Sequence, residues 1–167
     1  GCLDSMSKSI TVLDTASARF TYSPVVCENA AISFNSSIST IPTASGTITG
    51  WNWNFGDPAS GAANTSTLEN PTHTFSTWGN YNVTLNVISS NGCRSTTNTT
   101  TVFVNPLPVP DFSFPPSVCL PSANVVFTNA SSIPDGTESA FSYLWDFGDP
   151  ASGGANSSTG SGPSHIY

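Results

Sequence analysis

Apolar and polar residues alternate along several short stretches of this chain. In YNVTLNVIS at 81–89, an apolar residue occupies every second position from Tyr81 to Val87, and Asn or Thr fills the positions between. A period of two with one polar face predicts antiparallel β-strands that pack on a core by one side. Shorter runs that read as extended segments lie at 18–22, 31–35, 50–55 and 101–104.

Clusters of Pro, Gly and Asn separate these runs, as in SGTITG at 45–50, FGDPASG at 55–61 and ENPT at 69–72. Such clusters mark turns, because Gly and Asn tolerate left-handed backbone and Pro fixes φ. Helical periodicity of convincing length is absent from the sequence. Many short strands between turns predict an all-β chain built as an antiparallel β-sandwich.

The chain repeats itself. WNWNFGDPASGAANTS at 51–66 returns as LWDFGDPASGGANSS at 144–158, and Trp145 follows Trp53 by 92 positions. A repeat of this length indicates two copies of one structural module of roughly 90 residues. The same separation holds for Phe20 and Phe112, Cys27 and Cys119, Asp57 and Asp149, Pro71 and Pro163, His73 and His165, and Phe75 and Tyr167.

The repeat predicts the module boundaries. Residues 18–105 form the complete copy, and 106–110 (PLPVP) form a Pro-rich linker that should be short and semi-rigid. Residues 111–167 form a second copy that lacks a counterpart of YNVTLNV and therefore its last strands. Residues 1–14 resemble the segment from Gly92 onward, so we expect them to be the last strand of a preceding module. On this interpretation the chain is cut from a longer array.

The composition argues against several classes of function. Only 8% of the 167 residues are charged, with 3 Lys and Arg against 10 Asp and Glu. This balance lacks the basic footprint of a protein that binds nucleic acid or an anionic membrane. No apolar run approaches the ~20 residues that span a bilayer, which argues against membrane insertion. The four cysteines form no CxxC pair and no zinc-type spacing. Because Lys is scarce and turn residues are abundant, we expect an oxidising, extracellular setting.

Three motifs together resemble the PKD (polycystic kidney disease) domain. They are WNFGD at 53–57, NPTHTF at 70–75 and GNYNVTLNV at 79–87, and the second copy repeats two of them as WDFGD at 145–149 and PSHIY at 163–167. The family more often has Gly after this Asp, whereas Pro58 and Pro150 follow it here. This variant is similar to the tandem PKD arrays of very large secreted Bacteroidetes proteins, including gliding-motility adhesins and substrates of the type IX secretion system.

The resemblance implies tandem immunoglobulin-like sandwiches with a non-catalytic role. We expect an extracellular structural or adhesive repeat, part of a stalk or filament on a bacterial surface. Its partners would be neighbouring modules of the same long chain, laterally associated copies, and a surface glycan or protein ligand. The alternative is an accessory module that binds substrate for, or spaces, a secreted protease or polysaccharide-degrading enzyme. No G-x-S-x-G or H-E-x-x-H motif occurs, so no catalytic residue is predicted.

Aromatic residues divide into core and surface candidates. Trp53 and Phe55, and Trp145 and Phe147 in the second copy, lie on the inward face of their strands and are predicted to pack in the core. Trp78 lies in the turn STWGN without an alternation partner. It is therefore the predicted exposed contact aromatic.

The carboxylates of the repeated FGDP motif have two interpretations. Asp57 and Asp149 would accept backbone N–H bonds and hold the turn. Alternatively, Asp57, or Asp146 with Asp149, would contribute to a calcium site, although calcium needs six to eight oxygen ligands. His73 and His165 occur once per module, so neither builds a metal site or a triad by itself, and each is expected to bond locally between strands. No other cofactor is predicted.

The cysteines and two hydroxyl residues are candidates for covalent modification. Cys2, Cys27, Cys93 and Cys119 are disulfide candidates. Cys27 would pair with Cys93 inside the complete module, or with the last hairpin of the following module. The sandwich topology favours the second pairing, because the turns that carry Cys27 and Cys93 belong to opposite ends. Ser5 and Thr15 follow Asp in segments that resemble the Bacteroidetes O-glycosylation motif.

Overall fold

The computed structural model describes residues 1, 4–24, 26–42, 46–119 and 123–167, which form two compact units. Unit 1 is Gly1–Asn105 and unit 2 is Pro106–Tyr167. Every ladder between the named strands is antiparallel, and the helical segments are short 3-10 turns. The predicted all-β class is confirmed.

Unit 1 is a sandwich of two sheets. One sheet has the strand order β1-β2-β5, and the other has the order β4-β3-β6-β7. The strands are β1 (Thr21–Tyr22), β2 (Ala31–Asn35), β3 (Ile48–Asn54), β4 (Thr65–Ser66), β5 (Thr72–Thr74), β6 (Gly79–Ser89) and β7 (Asn98–Val104).

Unit 2 contains three two-stranded pairings, β8 with β10, β9 with β13 and β11 with β12. Its described residues include no strands in the places that β6 and β7 occupy in unit 1. The strands are β8 (Phe112–Ser113), β9 (Asn124–Val126), β10 (Thr128–Asn129), β11 (Trp145–Asp146), β12 (Ser157–Ser158) and β13 (Ser164–Ile166).

The strand bounds follow from the available partners. β2 has the predicted bounds, whereas β6 starts two residues before the alternating run because Gly79 pairs with Val104 of β7. The run at 18–22 contributes only a two-residue strand, preceded by a bridge from Ser17 to Thr40. Residues 4–15 contain no strand in the structure. Their assignment to a preceding module stays a prediction, as do the other module boundaries.

The core of unit 1 lies between the two sheets. Ile32 and Phe34 reach it from β2, and the alternating face of β6 supplies Val83, Leu85 and Val87, all at most 1% exposed. Burying each such side chain contributes about 1.5–3 kcal/mol by area transfer. The aromatic part of the core consists of Phe34, Trp53, Phe55 and Phe75, with Phe20, Tyr22, Trp51 and Tyr81 at its margin.

The chain enters and leaves unit 1 at opposite ends of the sandwich. Ser17 exchanges backbone hydrogen bonds with Thr40 at the entry end. At the exit end, Cys27 forms a parallel bridge with Asn105, where β7 has ended. Thr40 follows the end of β2 and Cys27 precedes its start, so the two bridges lie at opposite ends of that strand. In unit 2, Val109 bridges Ser132 in the way that Ser17 bridges Thr40. None of the helices in the described ranges is both long and apolar enough to cross a bilayer.

Candidate functional site

The repeated FGDP segment forms a tight turn at the end of β3. Gly56 adopts a left-handed φ of 71°, and a Cβ atom there would lie 2.7 Å from the carbonyl oxygen of Asn82 in β6. Only glycine fits both the conformation and the close approach. Pro58 then starts a 3-10 segment, Pro58–Asn64, which is broken at Gly61 where φ is again positive.

Neutral side chains hold this turn. Oδ1 of Asn64 accepts a hydrogen bond from the backbone N–H of Asp57 at 2.7 Å, and Oδ1 of Asn54 accepts one from the N–H of Gly56 at 2.8 Å. Ser60 donates to the carbonyl oxygen of Asp57. We expected the Asp57 carboxylate to accept backbone N–H bonds here. The structure corrects that expectation, because asparagine amides make those bonds and leave the carboxylate for another partner.

The partner of that carboxylate is a histidine. Nε2 of His73 donates a hydrogen bond to Oδ2 of Asp57 at 3.1 Å, and the side chains of His73 and Asp57 are only 2% and 5% exposed. A carboxylate in such a buried place needs a hydrogen-bond partner, and the imidazole supplies it. Sequence reasoning placed each residue separately and missed the pair.

Aromatic rings enclose the imidazole of His73. The ring stacks on Phe55 with centroids 4.3 Å apart and planes inclined by 8°, and it meets Phe75 edge to face at 4.5 Å. The alternation that places Phe55 on the inward side of its strand therefore also provides the surface on which the histidine rests. These contacts fix the orientation of the imidazole toward Asp57.

The Asp57–His73 bond joins the two sheets of unit 1. His73 lies in β5, opposite Ile32 of β2, in the three-stranded sheet. Asp57 follows β3, which belongs to the four-stranded sheet. The pair is a polar connection across an otherwise apolar core, and it fixes how the FGDP turn lies over the edge of the other sheet.

Unit 2 repeats the same arrangement. Nε2 of His165 donates to Oδ2 of Asp149 at 3.1 Å, the imidazole stacks on Phe147 at 4.6 Å, and Tyr167 meets it edge to face. The Asp149 side chain is 22% exposed. Both pairs are separated by 16 positions in sequence. This constant spacing of a recurring Asp and a recurring His is the signal that could have predicted the pair.

The pair has the chemistry of a scaffold. An Asp–His pair serves catalysis when the imidazole reaches a nucleophile and a substrate. Here Nε2 of each imidazole donates to its aspartate, and a phenylalanine ring stacks on one face of each imidazole. Burial separates the His73 pair from solvent. The arrangement therefore stabilises the turn and the packing of the sheets.

The calcium candidates do not converge. Oδ1 of Asp146 accepts hydrogen bonds from the N–H of Gly148 and from the amide of Asn156, whereas Asp149 faces His165. In the described part of the chain, no three His, Cys, Asp or Glu side chains come together as a metal site. The calcium hypothesis for Asp57, Asp146 and Asp149 stays a prediction that the structure does nothing to support.

The cysteines lie far apart in unit 1. Cys27 is next to Asn105 at the exit end, whereas Cys93 closes the turn after β6, where its carbonyl oxygen accepts from the N–H of Ser89. A disulfide needs Cα atoms within about 7 Å, so Cys27 and Cys93 do not meet that requirement. The thiols of Cys27, Cys93 and Cys119 are free, and Cys2 lies outside the described residues. Pairing across a module junction stays a prediction.

The remaining predicted residues take different environments. Trp53 and Phe55 are buried in unit 1, and Phe147 is buried in unit 2 with Trp145 partly buried against it. Trp78 is 41% exposed. Ser5 and Thr15 are exposed. The contact role of Trp78 and the glycosylation of the two hydroxyl residues stay predictions.

Solved structures that are similar to this chain include two PKD1 domains and a structure of carbohydrate-binding modules. The PKD1 domain from Vibrio cholerae metalloprotease PrtV is 26% identical, covers 55% of this chain and 98% of its own, and has a TM-score of 0.44. The PKD1 domain of Vibrio anguillarum Epp is 23% identical over 56% and 99% of the two chains, also with a TM-score of 0.44. A structure of carbohydrate-binding modules from the β-sandwich superfamily is 20% identical, covers 71% of this chain and 56% of its own, and has a TM-score of 0.51.

The family assignment depends on the sequence match. The model of the PKD domain family matches residues 16–104. The match spans just over half of the 167 residues and coincides with the two-sheet sandwich of unit 1. Its motifs contain the FGDP turn and the buried Asp57–His73 pair. The chain belongs to the PKD domain family.

Proposed function

We propose that this chain is a non-catalytic structural segment of a long extracellular stalk or filament on a bacterial surface. Each module transmits tension from its entry end to its exit end, and neighbouring modules of the same chain are its main partners. The sequence resemblance to tandem PKD arrays of gliding-motility adhesins and type IX secretion substrates favours a role in adhesion or gliding. Lateral association of copies and a surface glycan or protein ligand belong to the same proposal.

The position of the chain ends in unit 1 is the observation that carries the proposal. The entry bonds between Ser17 and Thr40 lie at one end of the sandwich, and the exit at Asn105 lies at the other. Modules with this arrangement can be joined head to tail without the chain doubling back. Only Pro106–Pro108 separate the last bridge of unit 1 from the first bridge of unit 2 at Val109, and proline stiffens such connectors.

The hydrogen bonds at the exit end suit a load-bearing module. Asn105 donates from its backbone N–H and from Nδ2 to the carbonyl oxygen of Val26, at 2.9 and 2.7 Å. Its own carbonyl oxygen accepts from the N–H of Glu28 at 2.9 Å. The two segments run parallel, so tension between entry and exit shears these bonds together. Breaking several bonds at once requires more force than opening them one after another.

The outward face of the four-stranded sheet carries mostly polar side chains, which supports the proposal that this face is exposed. Most outward positions on β6 and β7 are Asn or Thr, and the apolar exceptions are Ile88 and Phe103, which is 44% exposed. Oδ1 of Asn82, for example, accepts a hydrogen bond from the hydroxyl of Thr101 at 2.8 Å. Asn86 likewise donates to Thr97. Around these polar pairs the sheet offers neighbouring proteins little apolar surface.

Surface labelling tests the proposal. An antibody raised against the folded chain should label intact cells that make the protein, and electron microscopy should place the label along extensions from the cell surface. Labelling that appears only after permeabilisation would contradict the extracellular stalk. Label found only on enzyme released into the medium, and not on cells, would support the accessory-module alternative.

An accessory role in a secreted hydrolase is the second candidate, and the exposed indole of Trp78 is the observation that favours it. Substrate-binding modules use exposed aromatic rings to hold insoluble polymers. If this role is correct, the chain co-sediments with an insoluble polysaccharide or with protein fibres, and Trp78→Ala abolishes co-sedimentation. Under the stalk proposal Trp78→Ala leaves the sedimentation of the chain unchanged.

A further inference from the structure

Unit 1 has one long strand whose outer edge is unpaired. β7 is the last strand of the four-stranded sheet, and its seven residues pair one for one with residues 79–85 of β6. The other edge strands of unit 1, β1, β4 and β5, have only two or three residues. Within the described ranges no strand pairs with the other side of β7, and the bridge at Asn105 lies beyond its end. A long edge is therefore free for another strand.

The backbone groups on this edge follow from the bonds of Asn105. Its N–H and its carbonyl oxygen both bond to the segment around Cys27, so both groups point away from β6. Alternate residues of a strand direct both groups to the same side. Thr99, Thr101 and Phe103 therefore also point their N–H and C=O groups away from β6. The free edge offers about six hydrogen-bonding groups to an incoming strand.

β7 lacks the features that usually protect a strand edge. Its sequence, NTTTVFV, contains no charged residue, proline or glycine, and its pairing with β6 runs without a bulge. Natural edge strands are typically short or bulged, or carry lysine or proline, because an open edge is a template for another chain. The β-branched and aromatic residues of β7 instead favour strand pairing. These features indicate an edge that accepts a partner strand.

A second copy of β7 fits this edge. When two copies run antiparallel with Thr101 opposite Thr101, Phe103 of each copy faces Thr99 of the other. The two threonines are exposed and Phe103 is 44% exposed, and aromatic and β-branched side chains pair favourably across strands. Although the chain has a net charge of −7, β7 carries no charge that would repel its copy. The contact uses each edge once, so it closes as a two-fold dimer.

We propose that the free edge of β7 is a lateral self-association site, at which β7 of a second copy adds antiparallel and joins two four-stranded sheets into one. This inference deepens the lateral association included in the proposed stalk and rests on that proposal for its biological role. One pair of seven-residue strands is a small interface by the standard of stable complexes, so a single contact is weak. Stalks that lie side by side would add such contacts module by module.

Two lysine variants of the 167-residue chain test the proposal. Thr101→Lys places like charges opposite each other at the centre of the paired edge, where they destabilise strand pairing. Asn82→Lys is the matched control, because Asn82 stands opposite Thr101 and both substitutions remove the hydrogen bond between these side chains. The control lysine lies one strand away from the edge. Sedimentation equilibrium over a range of concentrations, with reductant present, measures association, and urea denaturation checks that both variants are folded.

The average mass of the wild type and of Asn82→Lys should rise with concentration from that of one chain toward twice that value. Thr101→Lys should weaken this association by at least about tenfold. In the unmodified chain, amide exchange at Thr99, Thr101 and Phe103 should slow as the concentration rises. The alternate amides of β7, which bond to β6, should change little. The exchange measurement needs no variant, so it does not depend on how a substitution affects folding.

Three results would overturn the proposal. The unmodified chain stays monomeric at its highest soluble concentration, or Thr101→Lys associates as strongly as Asn82→Lys, which assigns the contact to another surface. In the third result the mass rises while exchange at the edge amides stays constant, which shows association without strand pairing. None of these results affects the labelling of intact cells, so failure of this inference is distinguishable from failure of the stalk proposal.

Discussion

At the scale of single residues, the buried Asp57–His73 pair is the most specific feature of the module. Its hydrogen bond crosses the core between the two sheets, and stacking on Phe55 sets its geometry. Removing one partner leaves the other buried without a hydrogen bond, which costs more than the bond itself contributes. The pair therefore imposes one arrangement of the FGDP turn on the sheet edge.

Asp57→Ala should lower the free energy of unfolding of unit 1 by about 1–3 kcal/mol, because His73 loses its buried acceptor. Asp57→Asn keeps an oxygen acceptor at the same place and should lose less. Urea denaturation followed by tryptophan fluorescence measures both variants. Asp149→Ala in unit 2 serves as a control with smaller loss, since the Asp149 side chain is 22% exposed. Equal stability of Asp57→Ala and the wild type would refute the role of the pair.

Two tryptophans of unit 1 should respond oppositely to truncation. Trp53→Ala should cost about 3–5 kcal/mol, because it opens a cavity in the aromatic core. Trp78→Ala should change stability by no more than about 0.5 kcal/mol, as is usual for surface positions. Chemical denaturation of both variants makes the comparison. A large loss with Trp78→Ala would mean that this side chain serves packing rather than contact.

Alternation predicted which aromatic residues face inward, but it could not predict the pair. Period-two patterning assigns Trp53 and Phe55 to one face, and burial follows from that face. The bond from Asp57 to His73 joins residues in different sheets, and the pattern within one strand contains no information about a partner across the core. A carboxylate between Gly and Pro also predicts a turn-holding role for Asp57, whereas Asn54 and Asn64 take that role.

At the scale of elements, the long strand β6 organises the sandwich. It pairs with β3 on one side and β7 on the other, and its alternate residues form the floor of the core. The alternating run at 81–89 predicted this strand well because its apolar face is nearly continuous. The weaker run at 18–22 predicted too much strand, since propensity alone does not supply a hydrogen-bonding partner.

Substitution of the two left-handed glycines by alanine should destabilise unit 1 more than unit 2. Gly56→Ala and Gly148→Ala both place a side chain at φ of 71°. Only Gly56→Ala also drives a Cβ atom into the backbone of Asn82, so it should cost about 1–3 kcal/mol more than Gly148→Ala. Hydrogen exchange resolved by segment measures the loss in each unit. Equal losses would show that β6 does not approach Gly56 closely in solution.

At the scale of the whole molecule, the positions of the cysteines allow a test of the sandwich topology. Cys27 and Cys93 lie at opposite ends of unit 1. Alkylation of the purified chain without reductant, followed by peptide mapping, should therefore find both thiols modified. A peptide pair linking Cys27 to Cys93 within one chain would contradict the sandwich topology. Bridges that appear only between separate chains would agree with it.

Under the stalk proposal, the same topology determines how unit 1 would carry load. The segments that contain Val26, Glu28 and Asn105 run parallel to each other, and their hydrogen bonds run across the segments, so tension between entry and exit shears those bonds together. Resistance to pulling is a property of the unfolding rate rather than of equilibrium stability. The unfolding force therefore depends on which bonds break first, and that depends on the direction of pulling. A load-bearing module should resist force more strongly along the line from entry to exit than along other directions.

Single-molecule force spectroscopy tests this central claim most directly. The chain is pulled through Ser17 and Asn105 in one experiment and through Ser17 and Asn91, which lie at the same end, in the other. We predict that the first geometry gives one unfolding event at the higher force, with release of about 300 Å of chain for a module of this size. Equal forces in the two geometries, or gradual extension at low force through Ser17 and Asn105, would contradict the account.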